Sequence, residues 1–184
     1  MNSIMKVCAY FFSILALIFS TQAMSYDAVF NVTGAVRAGT CKLTSYVAYD
    51  IFLGDHLIGA NGFGNSKGSK TKEVEWVMSF DCPENSGVYI RPRGNTYSSS
   101  EDTILSLDYI SGSTSAKGLG IETSYSKNRT SWYAMRLYSN ITVHGRFEPA
   151  GSTTMYFRSV YKQMDATITP GIANATLNID VTYE

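Results

Sequence analysis

The side chains able to do chemistry in this 184-residue chain are few and scattered. His56 sits in a glycine-rich stretch and His144 near a turn, and neither has a nucleophile–base motif beside it. Structural or solvated roles suit both better than general-base work. The carboxylates are spread along the chain, and no acid/base pair can be read from them. Gly59-Ala60-Asn61-Gly62-Phe63-Gly64 has glycine spacing but no strand-to-helix context, so it does not read as a phosphate cradle. Cys41 and Cys82, isolated from each other, and two distant histidines make no zinc pattern. The expectation is therefore no enzyme, no cofactor and no metal.

The remaining chemistry belongs to cysteine, and it depends on compartment. Lys6 precedes an apolar run from Val7 to Phe19, too short to span a bilayer comfortably. Thr21-Gln22-Ala23 places small residues at a cleavage site, so residues 1–23 read as a signal peptide cut after Ala23. Cys8 leaves with it. The mature chain keeps Cys41 and Cys82, an even count that in an exported protein suggests one disulfide. Two free thiols are the alternative. Closing a loop of about 40 residues is worth roughly 4 kcal/mol in the chain-entropy treatment.

Composition sets the elements that must carry these groups. Apolar residues make up 45% and charged residues 16%, enough for one packed core and too few charges for a disordered chain. Net charge is zero, so no basic face invites nucleic acid. No span is expected in the mature chain. Thirteen tyrosines, with frequent Gly, Ser, Thr and Asn, favour strands and turns. Glu73 to Cys82 alternates, with Val74, Trp76, Met78 and Phe80 on one side. Further strands are expected at Leu43–Leu53, Val88–Arg91, Ile104–Ile110, Gly118–Thr123, Trp132–Tyr138 and Thr154–Tyr161. Gly54 to Lys72, with five glycines, reads as a long exposed loop, and 94–102, 111–117 and 124–131 as shorter ones. No window has a useful helical period. The pattern is an all-β antiparallel sandwich of one domain.

Two of the best alternating segments are the extremities. Ala28, Phe30, Val32, Gly34 and Val36 share one face, with Asn31 and Thr33 on the other. At the far end Leu177, Ile179, Val181 and Tyr183 alternate with Asn178, Asp180 and Thr182. The first stripe needs burial. It is either an edge strand of its own sandwich or a strand that fills another molecule's sheet. Trp76 alternates with core residues; Trp132-Tyr133, after a polar loop, reads as core anchor or ligand platform. Four Asn-x-Ser/Thr sequons, at Asn31, Asn128, Asn140 and Asn174, read as chance occurrences.

Several motifs, taken in order, resemble the type 1/P-type fimbrial (pilus) subunits of the chaperone–usher pathway. The first stripe resembles that family's donor strand, with Gly34 between Val32 and Val36. Cys41 follows as the first family cysteine does, and Cys82 closes a strand in the manner of the second. Gly118-Leu119-Gly120-Ile121 is similar to a mid-chain Gly-Ile motif. Met155 to Tyr161 resembles the aromatic penultimate-strand segment. Counting back from Glu184 as one, Gly171 is fourteenth and Tyr183 penultimate, as in the family's C-terminal signature.

The resemblance implies an incomplete immunoglobulin-like sandwich lacking its last strand, completed by donor-strand exchange. It implies 24–37 as a donor extension and 38–184 as the pilin domain. A periplasmic chaperone would fill the groove along Gly171, Leu177, Ile179, Val181, Tyr183 and the Glu184 carboxylate. At an outer-membrane usher, Ala28, Phe30, Val32, Gly34 and Val36 of the next subunit would replace it. The implied role is a structural subunit of a bacterial surface fimbria, exported through the periplasm, with other fimbrial subunits as partners. The alternative is a minor or tip subunit that binds a host receptor, a glycan or a protein.

Overall fold

The structure is a computed structural model that describes residues 39–45, 50–59, 63–109 and 114–184. The stripe Ala28–Val36, the signal segment 1–23 and the extension 24–37 lie outside the described residues.

Among the described residues, nine strands form two antiparallel sheets. In chain order they are β1 (Lys42–Leu43), β2 (Val74–Cys82), β3 (Val88–Arg93), β4 (Ile104–Leu105) and β5 (Leu119–Ser126), then β6 (Tyr133–Ala134), β7 (Ile141–His144), β8 (Gly151–Gln163) and β9 (Asn178–Tyr183). The larger sheet runs β1-β2-β8-β5-β4, with β6 paired to β5. The smaller runs β7-β3-β9. Their facing sides share one core. Trp76, Met78 and Phe80 of β2 and Met155 and Phe157 of β8 meet Val88 and Ile90 of β3 and Ile141 and Val143 of β7. Alternation is the cause: successive side chains leave a strand on opposite faces, so every second residue enters the core. Trp76 pairs with Phe157 across the β2–β8 ladder, and their rings stack with centroids 4.1 Å apart. The Cys41–Cys82 disulfide ties the chain ahead of β1 to the end of β2.

The outer face of the larger sheet is held by charges. Glu122 of β5 pairs with both Lys162 of β8 and Lys70. Burial would raise its carboxyl, but hydrogen bonds and charge from Lys162 and Lys70 hold it below the usual carboxylate range. Arg158 bridges Glu73 and Glu75 and lies 3.8 Å above the Trp132 ring. Trp132 Nε1 donates to the Arg129 carbonyl. One face of Trp132 is therefore occupied, and it is Tyr133 beside it that remains exposed.

Several sequence expectations are corrected. Of the strand expected over Leu43–Leu53, residues 46–49 lie outside the described residues, and the described part pairs only in β1. Asp50–Leu53 has no ladder, although Leu53 is buried and Ile51 packs on the core. The stretch Gly54–Lys72 is not uniformly an exposed loop. Phe63 is buried, and residues 68–71 continue the β2 side of the ladder: Gly68 N donates to Gln163 O, Gln163 N to Ser69 O and Thr71 N to Tyr161 O. That pairing carries β8 beyond Tyr161. The Gln163 side chain is fully buried because Ser69, Asp165 and Ala166 satisfy it.

Strand β4 stops at Leu105, where the backbone turns to other partners: Ser106 N donates to Asn95 O and Asp108 N to Asn174 O. Strand β5 runs past Thr123 to Ser126, ending where Asn128 Oδ1 accepts from Thr130 N and Ser131 N. The strand expected over Trp132–Tyr138 is only β6. After it Leu137 N bonds Asp102 O and Tyr138 N bonds Pro92 O, with Tyr138 at φ 63°, so the chain has crossed to the smaller sheet. Strand β7 has no counterpart among the sequence expectations; four residues give too short an alternation. His144 ends it as a buried side chain, with Nδ1 3.1 Å from Thr153 Oγ1 and near Glu148. His56 is structural too: its Nε2 is 2.9 Å from Leu53 O, and its ring meets Phe63 and Tyr161 edge-on.

Candidate functional site: an open groove beside the last strand

Strand β9 is an edge. On one side it pairs with β3 in unbroken register, from Val88 opposite Tyr183 to Arg93 opposite Asn178. On its other side no strand of the described residues pairs with it. Its residues alternate as expected up to Val181, but Tyr183, expected on the same stripe, is exposed and does not line the adjoining cavity. Leu177, Ile179 and Val181 turn inward and pack on the core only in part; Asn178, Asp180 and Thr182 are exposed, with Asp180 paired to Arg93. An edge strand with free N–H and C=O groups and an apolar inner stripe is a template for another strand.

Beside that stripe lies a cavity of about 1390 Å³. Its floor is the inner face of the larger sheet, from Leu43 and Met78 through Trp76 to Ile121 and Leu105. The opposite rim is the chain over 50–58, where Phe52 and Leu57 are more than three-quarters exposed. The volume exceeds the usual small-molecule pocket. A groove of this shape, walled by an open strand edge, suits an extended peptide.

The lead-in to β9 is pinned. Residues 114–117 pair with 169–172: Ala116 N donates to Ile172 O, Ile172 N to Thr114 O, and Lys117 and Thr169 exchange both bonds. Tyr161 Oη donates to Ala173 O at 2.8 Å, and Thr176 Oγ1 to Asp108 Oδ2 at 2.7 Å. Gly171 sits at the tightest point. A β-carbon there would lie 2.5 Å from both Ala116 N and Thr114 O. Neither atom can move without breaking the pairing. Gly171→Ala should cost about 1–3 kcal/mol, as overpacking does. The check is the urea midpoint of the purified protein; an unchanged midpoint would show that the contact is slack. The far end of β9 is held as well, with Glu184 N donating to Gly87 O at 2.8 Å and Gly87 N to Glu184 O at 2.9 Å.

The structure thus gathers Leu177, Ile179 and Val181 on one wall, with Gly171 in the lead-in and Tyr183 and Glu184 at the far end. Cys41 and Cys82 brace the core behind the floor. The stripe of Ala28, Phe30, Val32, Gly34 and Val36 lies outside the described residues. Alternation puts Trp76 and Met78 in the core but does not show them as a groove floor. Nor does it single out Thr123 and Ser159, polar residues buried in the same floor. A period of two flags inward positions but not which of them stay uncovered.

An antiparallel β-sandwich whose last strand is an open edge beside a groove defines a class of all-β, immunoglobulin-like domains. A model of the fimbrial protein family matches residues 30–184, and the chain belongs to that family. A type-1 fimbrial protein subunit of Serratia marcescens is 26% identical over 170 residues, covering 90% of this chain and 91% of that one. The crystal structure of the P pilus rod subunit PapA shares the fold, with a TM-score of 0.51 at 15% identity, over 78% of this chain and 99% of that one. The chain is accordingly a fimbrial subunit of the cell-surface fimbria, and its family is structural and not enzymatic.

Proposed function

We propose that this chain is a structural subunit that polymerises by donor-strand exchange after chaperone-assisted folding. One observation carries the reading: the inner stripe of β9 borders an open cavity while the outer edge of β9 has no strand partner among the described residues. Before assembly, a periplasmic chaperone strand fills the groove against Leu177, Ile179, Val181 and Tyr183, with basic residues on the Glu184 carboxylate. At the outer-membrane usher, the segment Ala28–Val36 of the next subunit displaces it. Backbone hydrogen bonds to β9 supply adhesion, and alternate side chains in the groove set the register. Large apolar side chains of the incoming strand, Phe30, Val32 and Val36, gain roughly 1.5–3 kcal/mol each on full burial.

The test uses the two faces of β9. Ile179→Asp puts a charge on the inner stripe, and Thr182→Asp puts one on the exposed face. The first should abolish the ladder of detergent-resistant subunit oligomers in fimbriae sheared from cells, and the second should leave it intact. Equal ladders from both variants would remove the groove from assembly.

A further inference from the structure

The groove floor is not uniformly apolar. In its middle, Trp76 Nε1 donates to Ser159 Oγ at 3.0 Å, and Ser159 Oγ lies 2.9 Å from Thr123 Oγ1. Thr123 and Ser159 are each only 4% exposed, and both line the cavity. The two hydroxyls bring two hydrogens. The bond between them uses one, whichever oxygen donates, and the indole N–H only fills a lone pair. One hydroxyl hydrogen is therefore left over, and no acceptor for it is present among the described residues.

An occupant that covers this donor with a hydrocarbon side chain buries it unsatisfied. An occupant that presents an oxygen, or leaves space for a bridging water, does not. Of the inward positions in this chain's own first stripe, Ala28, Phe30, Val32 and Val36 would cover the pair with carbon. Gly34 alone leaves it open. Placing Gly34 there also lays Val32 and Val36 along the apolar floor on either side, toward Met78 and toward Ile121 and Leu105.

We infer that the Thr123–Ser159 hydroxyl pair is a specificity determinant of the groove, and that it selects the register in which Gly34 of a second copy of this chain lies above it. The inference rests on the donor-strand reading and adds which residues read the incoming strand, and by what chemistry.

The experiment exploits the equal shape of threonine and valine. Labelled peptides spanning Tyr26–Ala38 are titrated into the refolded full chain. One has the unaltered sequence, and the others carry Gly34→Thr, Gly34→Val, Val32→Thr or Val36→Thr. The Gly34→Thr peptide should bind about tenfold more tightly than the Gly34→Val peptide, because threonine supplies an acceptor and valine strands the donor. Val32→Thr and Val36→Thr should weaken binding. In the chain carrying Trp76→Phe, Thr123→Val and Ser159→Ala, the preference at position 34 should reverse. If that variant does not fold, the peptide series on the unaltered chain decides alone. Equal or tighter binding of the Gly34→Val peptide, or a threonine preference at 32 or 36 in place of 34, overturns the inference while leaving donor-strand exchange intact. Failure of the unaltered peptide to bind at all overturns both.

Discussion

Replacing Gly34 with leucine should stop this subunit from joining its acceptor, with fimbriae carrying it reduced at least tenfold on the cell surface. The stripe around Gly34 is one of the two most regular in the chain, and the gap in its side chains falls between two valines. A strand that adds to β9 must come within ladder distance of it, about 4.8 Å, while its inward side chains reach the larger sheet. A leucine at that position meets a floor already filled by Trp76, Thr123 and Ser159. Overpacking of this kind costs about 1–3 kcal/mol. The displaced strand also unseats Val32 and Val36, each worth roughly 1.5–3 kcal/mol when buried. Together these losses come to several kcal/mol, and every step of about 1.4 kcal/mol is tenfold in affinity. Immunogold labelling or sheared-fimbria immunoassay reads the outcome. Wild-type amounts of fimbriae containing Gly34→Leu would count against this use of the first stripe.

The second large effect is expected at the disulfide. Cys82→Ser opens a loop that the Cys41–Cys82 bond closes across a sequence separation of 41. The entropic treatment assigns roughly 4 kcal/mol to a loop of that size. Cys82 is 1% exposed at the end of β2, and Cys41, 3% exposed, lies within 3.4 Å of Ser86 Oγ. Serine at position 82 would add a buried hydroxyl to the same place. The groove floor is built on β2, so its loosening spreads to Trp76 and Met78 and hence to the strand that must dock there. The expected result is loss of the periplasmic chaperone complex, measured by co-purification. Cys82→Ala should behave the same way, showing that the bond and not the hydroxyl is responsible. Undiminished complex formation by either variant would mean that the floor stands without the bridge.

Much of this molecule is legible in its residue order, and the failures have physical reasons. Strands β2 and β9 read cleanly because each contrasts its two faces, β2 with one buried and one more exposed face and β9 with one half-buried and one exposed, the case in which a period of two is most visible. Strand β8 reads short because its ends are stabilised by partners far away in sequence, at Ser69 and Gly151–Cys82, which no local pattern announces. Strand β7 escapes because its inward residues are only Ile141 and Val143, followed by a histidine that is buried by its contacts to Thr153 and Glu148. Asp50–Leu53 looks like a strand and is not one: Ile51 and Leu53 have apolar neighbours, yet no described strand lies beside them to complete a ladder.

The groove is partly visible in the same way. The inner stripe of β9 can be named from its spacing, and Gly171 from its place in the C-terminal signature that the chain's resemblance to the fimbrial family implies. Its floor cannot, because whether a buried-type residue such as Met78 faces a filled core or an open trough depends on which edge of the opposite sheet is vacant. The polar pair Thr123 and Ser159 is invisible for a related reason. Hydroxyls on strands are common, and only the register that brings Thr123 of β5 opposite Ser159 of β8 makes them a unit.

Hydrogen exchange at β9 interrogates the vacant edge most directly. Half of the backbone N–H groups over Asn178–Tyr183 face β3; the others point toward the cavity side. In the isolated protein this second set should exchange rapidly, and addition of the Tyr26–Ala38 peptide should slow it by orders of magnitude while leaving the β3-facing set little changed. Slow exchange of both sets before any peptide is added, with no response to it, would mean that the edge is already sealed and that the protein needs no strand from a neighbour.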